Sequence, residues 1–560
     1  MARTIKIQCV NTGRELFVPN GISLKEIAEQ LESELGFVPI SAKVNNRLEG
    51  LELELYHPKM VEFVKTDSYE GRQVFIPTLT FVVASAFDEM FPDGDFRVSH
   101  ISSGFMYCTY STGTENGLEL TPDRIAAMLT ERVNRICEAD IPIEMVEEET
   151  ATVIEKFRKN RRDDVALLLE NYHDLYAAYY KMGQHIEYSY IPLAYSTRYV
   201  SDFVIEPFED GLMVYSPLFE NQVNGESFAI LPQEMDVCRE GDSWNTRMHA
   251  RSVGEINANC TERRGSGWLI KVAESLQEKK ISEIAEEIAA SGKHIVLVAG
   301  PSSSGKTTFS KRLEVALETI GCEAFPLSLD DFFVNRSETP LDENGKRDYE
   351  CLQALDIKLF NECLKKLLAC DPVDLPTYNF TTGMKEYREQ NRIIAVRDCI
   401  FIIEGLHGLN PDLLTEISPE DTFRIYVSPM TSLAMDGHMR ISATDSRLMR
   451  RITRDSVQRN RTARDTIDSW TSVRRGEIKW IFPYRKNADV FFNTALVYEI
   501  AVIKPFVEEL LRDVPQNTPE YAESRRLLHL LSYLLPLSDR EIPPTSIIRE
   551  FVGGSSFRYL

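Results

Sequence analysis

The stretch HIVLVAGPSSSGKTTFSKRLEVALETI, residues 294–320, decides how the C-terminal half folds. Ile295 to Ala299 form an unbroken apolar run, which suits a strand buried on both faces of a parallel sheet. The run passes directly into Gly300-Pro-Ser302-Ser303-Ser304-Gly305-Lys306-Thr307-Thr308 and then into a segment of helical periodicity. Strand, GxxxxGK[ST], helix is the order that makes a phosphate-binding loop. The glycines let backbone amides turn inward around phosphate oxygens, and the start of the helix adds a favourable dipole. Lys306 is placed to reach the β- and γ-phosphates of ATP, and the Thr307 hydroxyl to ligate Mg²⁺.

Outward from the loop, AFPLSLDDFF (324–333) reads as a second parallel strand ending in Asp330 and Asp331, and DCIFIIEG (398–405) as a third ending in Glu404. Carboxylates at the carboxyl edge of such a sheet stand where ligands bind. One can accept a proton from an attacking hydroxyl, and another can hold Mg²⁺. Between Arg440 and Arg464 stand eight arginines and two acids, Asp445 and Asp455. Arg447, Arg450 or Arg451, and Arg454 recur at helical spacing on one face, and Arg459, Arg461 and Arg464 follow in a loop or lid. The whole chain has 63 basic and 86 acidic side chains, a net charge of −23. Such a surface repels nucleic acid and anionic membranes, so a concentrated arginine cluster calls for a local anionic ligand, and the phosphates of ATP are the nearest candidate.

These motifs resemble the uridine kinase and phosphoribulokinase group of P-loop kinases. The resemblance spans about residues 290–500 and rests on GPSSSGKTT, LDDFF, RDYECLQALD, LPTYNF, IIEGLHG, RLMRRITRD-x-x-x-R-x-R and PYRKNADV in order. It implies that Asp330 is the general base and that Phe333 and Tyr378 contact a nucleoside. It further implies that Glu350 stands where an aspartate meets ribose hydroxyls, and that Arg454, Arg459 and Arg461 embrace the phosphates. The chain departs from the pattern at Gly383, where uridine kinases carry a base-contacting histidine, at Asn379, where the motif has an aspartate, and at Phe333, where a tyrosine is usual. A site that reads a pyrimidine by hydrogen bonds loses discrimination with its donors.

The N-terminal half resembles a different family. VPNGISLKEIAEQL (18–31) follows an alternating strand and is similar to the β-grasp TGS domain of threonyl-tRNA synthetases, with Ser23 as a helix N-cap. FDEMFPDGDFRVSHISSGFMYCTY (87–110), including the Gly104-Phe105 step, is similar to the second additional domain of threonyl- and alanyl-tRNA synthetases. That family's HxxxH metal ligands align with Pro77 and Phe81, and no cysteine stands between Cys137 and Cys238. The domain therefore reads as a catalytically empty relative, and His100 and His185 as structural.

The expected organisation is multi-domain α+β: a TGS-like β-grasp domain (1–65), a synthetase-editing-like α+β domain (66–225), a linker or helical clasp (226–285), a doubly wound parallel α/β P-loop kinase domain (286–500) and a C-terminal helical tail (501–560). Ten scattered cysteines without a CxxC pair predict reduced thiols, and the lack of a signal peptide or membrane-length apolar run predicts a cytoplasmic protein. The expected activity is transfer of the γ-phosphoryl of Mg·ATP to a hydroxyl of a small acceptor, first a nucleoside and alternatively a sugar or sugar phosphate. Catalysis would use Asp330, Lys306 and Arg454, with Asp331 on the acceptor side and Thr307 and Glu404 at the metal. An ATP-sensing protein that binds RNA through the TGS-like module is the alternative from another class, and the acidic composition weighs against it. Homo-oligomerisation is left open.

Overall fold

The computed structural model describes residues 4–102, 105–113, 120–172, 174–219, 230–261, 265–342, 345–430 and 433–558; Gly104 of the synthetase-like run lies outside them. The kinase-like half is organised by one parallel sheet of five strands: β1 (Ile295–Ala299), β2 (Ala324–Ser328), β3 (Ile400–Glu404), β4 (Thr422–Ser428) and β5 (Val490–Asn493). Their spatial order is β2-β3-β1-β4-β5. β1 lies at the centre, with Val296 opposite Ile402 of β3 and Phe423 of β4. All five of its residues are buried, the physical reason for the unbroken apolar run. Helix α1 (Lys306–Thr319) leaves the loop after β1, while α2 (Ala443–Gln458) and α3 (Ala463–Trp480) carry the arginine-rich segment.

The N-terminal sheet runs in the order Glu15–Pro19, Thr4–Cys9, Lys59–Lys65, Pro39–Val44, Arg47–Glu49, with Thr4–Cys9 parallel to Lys59–Lys65. Ser23 caps helix Leu24–Gln30 and Glu26 completes a capping box, so Leu24, Ile27 and Ala28 face the core. Next, helix Tyr69–Met90 packs beside a four-stranded antiparallel sheet containing Asp95–Ser102 and Phe105–Ser111.

The segment 226–285, expected as a linker or clasp, is helical where described: Pro232–Arg247, Val253–Thr261 and Gly265–Ser291. Ile270, Ile281 and Ile284 of the last share one apolar core with Val296, Phe309 and Leu313 of the kinase-like half. These helices therefore belong to that core. The tail adds Glu499–Arg512, Tyr521–Ser532 and the short helix Arg549–Val552, whose Leu511, Leu527 and Phe551 enter the same core. All ten cysteines are unpaired, and no helix among the described residues is long and apolar enough to cross a membrane.

Candidate active site

The loop is shaped by positions where only a small residue or an unusual backbone fits. A Cβ on Gly300 would lie 1.9 Å from the Val427 carbonyl, and Gly305, which starts α1, has φ +89°. Ser303 also takes a left-handed conformation, φ +58°. Three arginines of α2 grip the loop from behind. Arg447 and Arg451 donate to the Ser302 carbonyl (3.3 Å) and hydroxyl (2.7 Å), and Arg450 to the Ser303 and Ser304 carbonyls at 3.5 and 3.4 Å. Two of them pair with glutamates from later helices, Arg447 with Glu477 and Arg450 with Glu499, and Arg451 pairs with Asp455 of its own helix. The first part of the arginine run, expected as a charged helix face, is thus buried scaffolding, because Glu477 and Glu499 arrive from later helices to neutralise it.

The outer arginines differ. Arg454 donates to Asp455 Oδ1 at 3.0 and 2.9 Å, Arg459 lies 3.7 Å from the same oxygen, and Arg451 lies 3.5 Å from Oδ2. Three guanidiniums share one carboxylate, leaving surplus positive charge beside the loop. The neighbouring Arg454 depresses the pKa of Arg459, and burial followed by Arg454 lowers that of Arg451 to about 10. Arg461 instead turns to α3 and donates to the Asp465 carbonyl at 3.1 Å. Arg464 enters α3 rather than the connecting loop and lies 3.3 Å from Glu520.

Three acids converge on Lys306. Its ammonium donates to the Pro301 carbonyl at 3.2 Å, and burial lowers its pKa against the opposing pull of Glu404, Asp330 and Glu550. Glu404 Oε1 accepts from Thr307 Oγ1 and Ser328 Oγ, both at 3.1 Å. Burial pushes Glu404 up to about 7, with the charges of Asp330 and Glu550 adding to the shift. Thr307 and Glu404 offer two hard oxygen donors side by side, the set Mg²⁺ takes when phosphate oxygens and water complete its shell. Among the described residues no group of three or more His, Cys, Asp or Glu side chains gathers to hold a metal.

Asp330 and Asp331, read as neighbours at a strand end, lie instead in a 3₁₀ turn, Leu329–Phe332, after β2. The turn separates them. Asp331 accepts from the Tyr378 amide at 3.2 Å, and burial raises its pKa to about 6. The Asp330 carboxylate accepts no hydrogen bond from the described residues, and its charge acts on Lys306, Glu404, Glu350 and Arg459. Glu350 approaches where α3 carries Gly476; a Cβ there would lie 2.4 Å from the Glu350 Cβ. Burial raises Glu350 to about 7 despite nearby Arg451.

Phe333 and Tyr378 stand 5.5 Å apart within a set of rings that includes Tyr349 and Phe380, and Arg459 lies over Phe380 at 5.6 Å. Tyr349 and Phe380 were not singled out from the sequence, although each lies within a quoted motif. The place of the missing histidine is closed. A Cβ on Gly383 would lie 2.6 Å from Arg336 Nε, and Arg336 donates to the Phe380 carbonyl. Asn379 caps the turn there, accepting from the amides of Thr381 and Thr382.

Among the described residues of the N-terminal half, the positions aligned with synthetase metal ligands gather no comparable chemistry. Pro77 and Phe81 lie within helix Tyr69–Met90, and Phe81 is buried. His185 lies 3.1 Å from Glu89. Buried His100 contacts Cys238 at 3.4 Å and Glu234 at 3.7 Å, and Glu234 also pairs with Arg485 of the kinase-like half. A cavity of about 610 Å³ separates the two halves, with Arg72, Pro77 and His100 on one wall and Pro301, Trp470 and Arg474 on the other.

Known proteins resemble one part of the chain. Residues 295–501 match the model of the Phosphoribulokinase / Uridine kinase family. The uridine kinase of Anoxybacillus flavithermus is 28% identical over 198 residues, 35% of this chain and 83% of that protein. That of Staphylococcus epidermidis is 28% identical over 209 residues, 37% and 91% respectively. Among solved structures, that of "a Possible Uridine Kinase from Bacillus stearothermophilus" aligns with a TM-score of 0.27 and 19% identity, covering 38% of this chain and 97% of the other. The D-glycerate 3-kinase of Cryptococcus neoformans var. grubii aligns at 0.22 and 15%, covering 45% and 87%. Residues 295–501 are therefore a P-loop kinase domain of the phosphoribulokinase and uridine kinase family.

Proposed function

We propose that this protein transfers the γ-phosphoryl group of ATP to a hydroxyl of a small acceptor, with a nucleoside as the first candidate. The observation that carries the reading is the convergence of Lys306, Thr307, Glu404 and Asp330 at the mouth of the loop, beside three guanidiniums served by one aspartate. Phosphoryl transfer needs positioning and charge stabilisation more than covalent chemistry. The loop amides and Lys306 hold the β- and γ-phosphates, and Arg454 and Arg459 offset charge on the group in flight. Thr307 and Glu404 would hold Mg²⁺, which would supply positive charge to the phosphates during transfer. Asp330, whose carboxylate accepts no hydrogen bond from the described residues, receives the acceptor's proton, while Asp331 orders the segment carrying Tyr378.

The exposed rings of Tyr349 and Phe380 beside Phe333 and Tyr378 favour a planar acceptor that can stack. Arg336 in the place of a base-reading histidine favours the second reading, a sugar or sugar phosphate, because it supplies a cation and no acceptor for a base edge. ADP release with Mg·ATP, measured across nucleosides, pentoses and sugar phosphates with Lys306→Ala as control, separates the two. Stimulation by a nucleoside supports the first, and stimulation by sugars alone supports the second. ATP binding with no stimulation by any compound would leave an ATP-sensing protein, whose RNA partner would be sought by salt-dependent tRNA binding.

A further inference from the structure

The carboxyl end of the chain returns to the loop. Glu550, in the short helix Arg549–Val552, accepts a hydrogen bond from Thr308 Oγ1 at 2.6 Å and a longer one from the Thr308 amide at 3.4 Å. Thr308 is the third residue of α1, so its N–H is one of the helix-start donors that turn outward from the helix. In a phosphate-binding loop those amides and hydroxyls are the donors to nucleotide phosphate oxygens. Thr308 is fully buried beneath the segment, and Glu550 is only 6% exposed.

The rest of the segment is fastened to the same place. Ile547 Cγ2 lies 2.7 Å from where a Cβ on Gly305 would be, which puts an apolar side chain against the turn that must face phosphate. Gln458 donates to the Glu550 carbonyl at 2.9 Å, and Phe551 lies 5.1 Å from the guanidinium of Arg450, the residue that grips the loop from behind. A neutral side chain would cap a helix start equally well. A carboxylate here instead adds a third acid to the surroundings of Lys306, already shared by Glu404 and Asp330, and raises Glu404 further. Anionic oxygen on helix-start donors beside a lysine is the recognition chemistry of a phosphate.

We propose that Glu550 is an internal ligand of the loop: its carboxylate takes the position of a nucleotide phosphate at Thr308, and ATP binds in full only when that side chain swings aside, the segment itself staying in the core through Ile547, Ile548 and Phe551. The proposal rests on the reading of the loop as a nucleotide site. A segment that merely supported the fold would lower both melting temperature and ATP affinity when weakened. An internal ligand gives the opposite sign for affinity.

The test is the equilibrium dissociation constant for Mg·ATP, by titration calorimetry on the full chain, for the parent, Glu550→Gln, Glu550→Ala and Lys306→Ala, each with its melting temperature. Glu550→Gln retains an acceptor for the Thr308 hydroxyl and removes the charge, so its fold should be the least disturbed. Both Glu550 variants should bind ATP more tightly, on the order of tenfold, as expected when like charge within a few ångströms of a phosphate is removed, and Lys306→Ala should bind more weakly. Unchanged or weaker binding by a folded Glu550→Gln, with the parent still binding ATP through Lys306, overturns the proposal and leaves the nucleotide reading intact. If neither the parent nor the Glu550 variants bind ATP while remaining folded, the nucleotide reading falls and the proposal falls with it.

Discussion

Two ionic clusters in this molecule are made of the same residue types and are wired differently. In the first, Arg162 donates to Asp164 at 3.1 Å, to Glu187 at 2.9 Å and to Asp436 at 3.1 Å, while His438 binds Glu187 at Nδ1 and reaches the Phe96 carbonyl at 3.2 Å from Nε2. One guanidinium serves three carboxylates, and the partners come from both halves of the chain. In the second, around the loop, one carboxylate of Asp455 serves three guanidiniums. There the buried hydroxyls of Ser303 and Ser304 and one oxygen of Glu350 find no hydrogen-bond partner among the described residues. Buried polar groups are nearly always paired in a finished interior. The first cluster also leaves one oxygen of Asp436 without a partner among the described residues, so the difference lies in charge balance: a cation that donates to every carboxylate around it is a clasp, whereas guanidiniums in excess of carboxylate await an anionic ligand.

Three substitutions or conditions can break that contrast. The largest effect is expected from Asp330→Asn, which should lower turnover on the order of 10²- to 10⁴-fold with ATP affinity and melting temperature nearly unchanged. Equal loss of turnover and ATP binding would move Asp330 to the nucleotide side. Next is Arg162→Met, which strands two buried carboxylates, Glu187 and Asp436, and half-buried Asp164. It should destabilise the fold by about 3–5 kcal/mol in denaturant titration while the folded fraction keeps its turnover. A variant as stable as the parent would show that the first cluster is no clasp.

The smallest effect is a pH dependence from the second cluster, superimposed on that of Asp436 in the first, which burial also raises to about 7. Burial raises Glu404 and Glu350 to about 7, above their unfolded values, so the folded state binds more protons between those limits. Their contribution to stability is complete below the unfolded pKa and is lost as pH rises through about 7. Melting temperature without ligand should therefore fall between about pH 5 and 7 and level off above, and Glu404→Gln should flatten part of that fall. Mg²⁺ affinity should rise over the same interval, since the metal needs the ionised carboxylate. A Glu404→Gln profile parallel to the parent's would detach the dependence from this site.

Local chemistry was legible where donor and ligand site are contiguous in sequence. Gly300, Gly305, Lys306 and Thr307 could be read together because loop, glycines and helix start form one uninterrupted segment, and Glu404 because a strand end is marked by where its apolar run stops. Asp330 and Asp331 could not be separated by pattern. An alternating strand would point them to opposite faces, but the chain turns at Leu329 and leaves one pinned by the Tyr378 amide. The arginine run was legible as a cluster and not as two sets. Its partners Glu477 and Glu499 lie 30 and 49 residues beyond the arginines they neutralise. The Gly383 departure is visible in sequence, but its filling by Arg336 is not.

By itself, then, the sequence determined what depends on neighbours along the chain: the buried central strand, the phosphate-binding turn, the helix that follows and the acids at strand ends. Tertiary structure alone decided which of those charges are neutralised. It buried Arg447 and Arg450 against distant glutamates, left Asp455 shared among three cations, and brought Glu550 across 242 residues onto Thr308. Hydrogen-bonded loops and strands are set by periodicity and backbone freedom, which are local, whereas the state of a buried charge is set by whatever packs beside it.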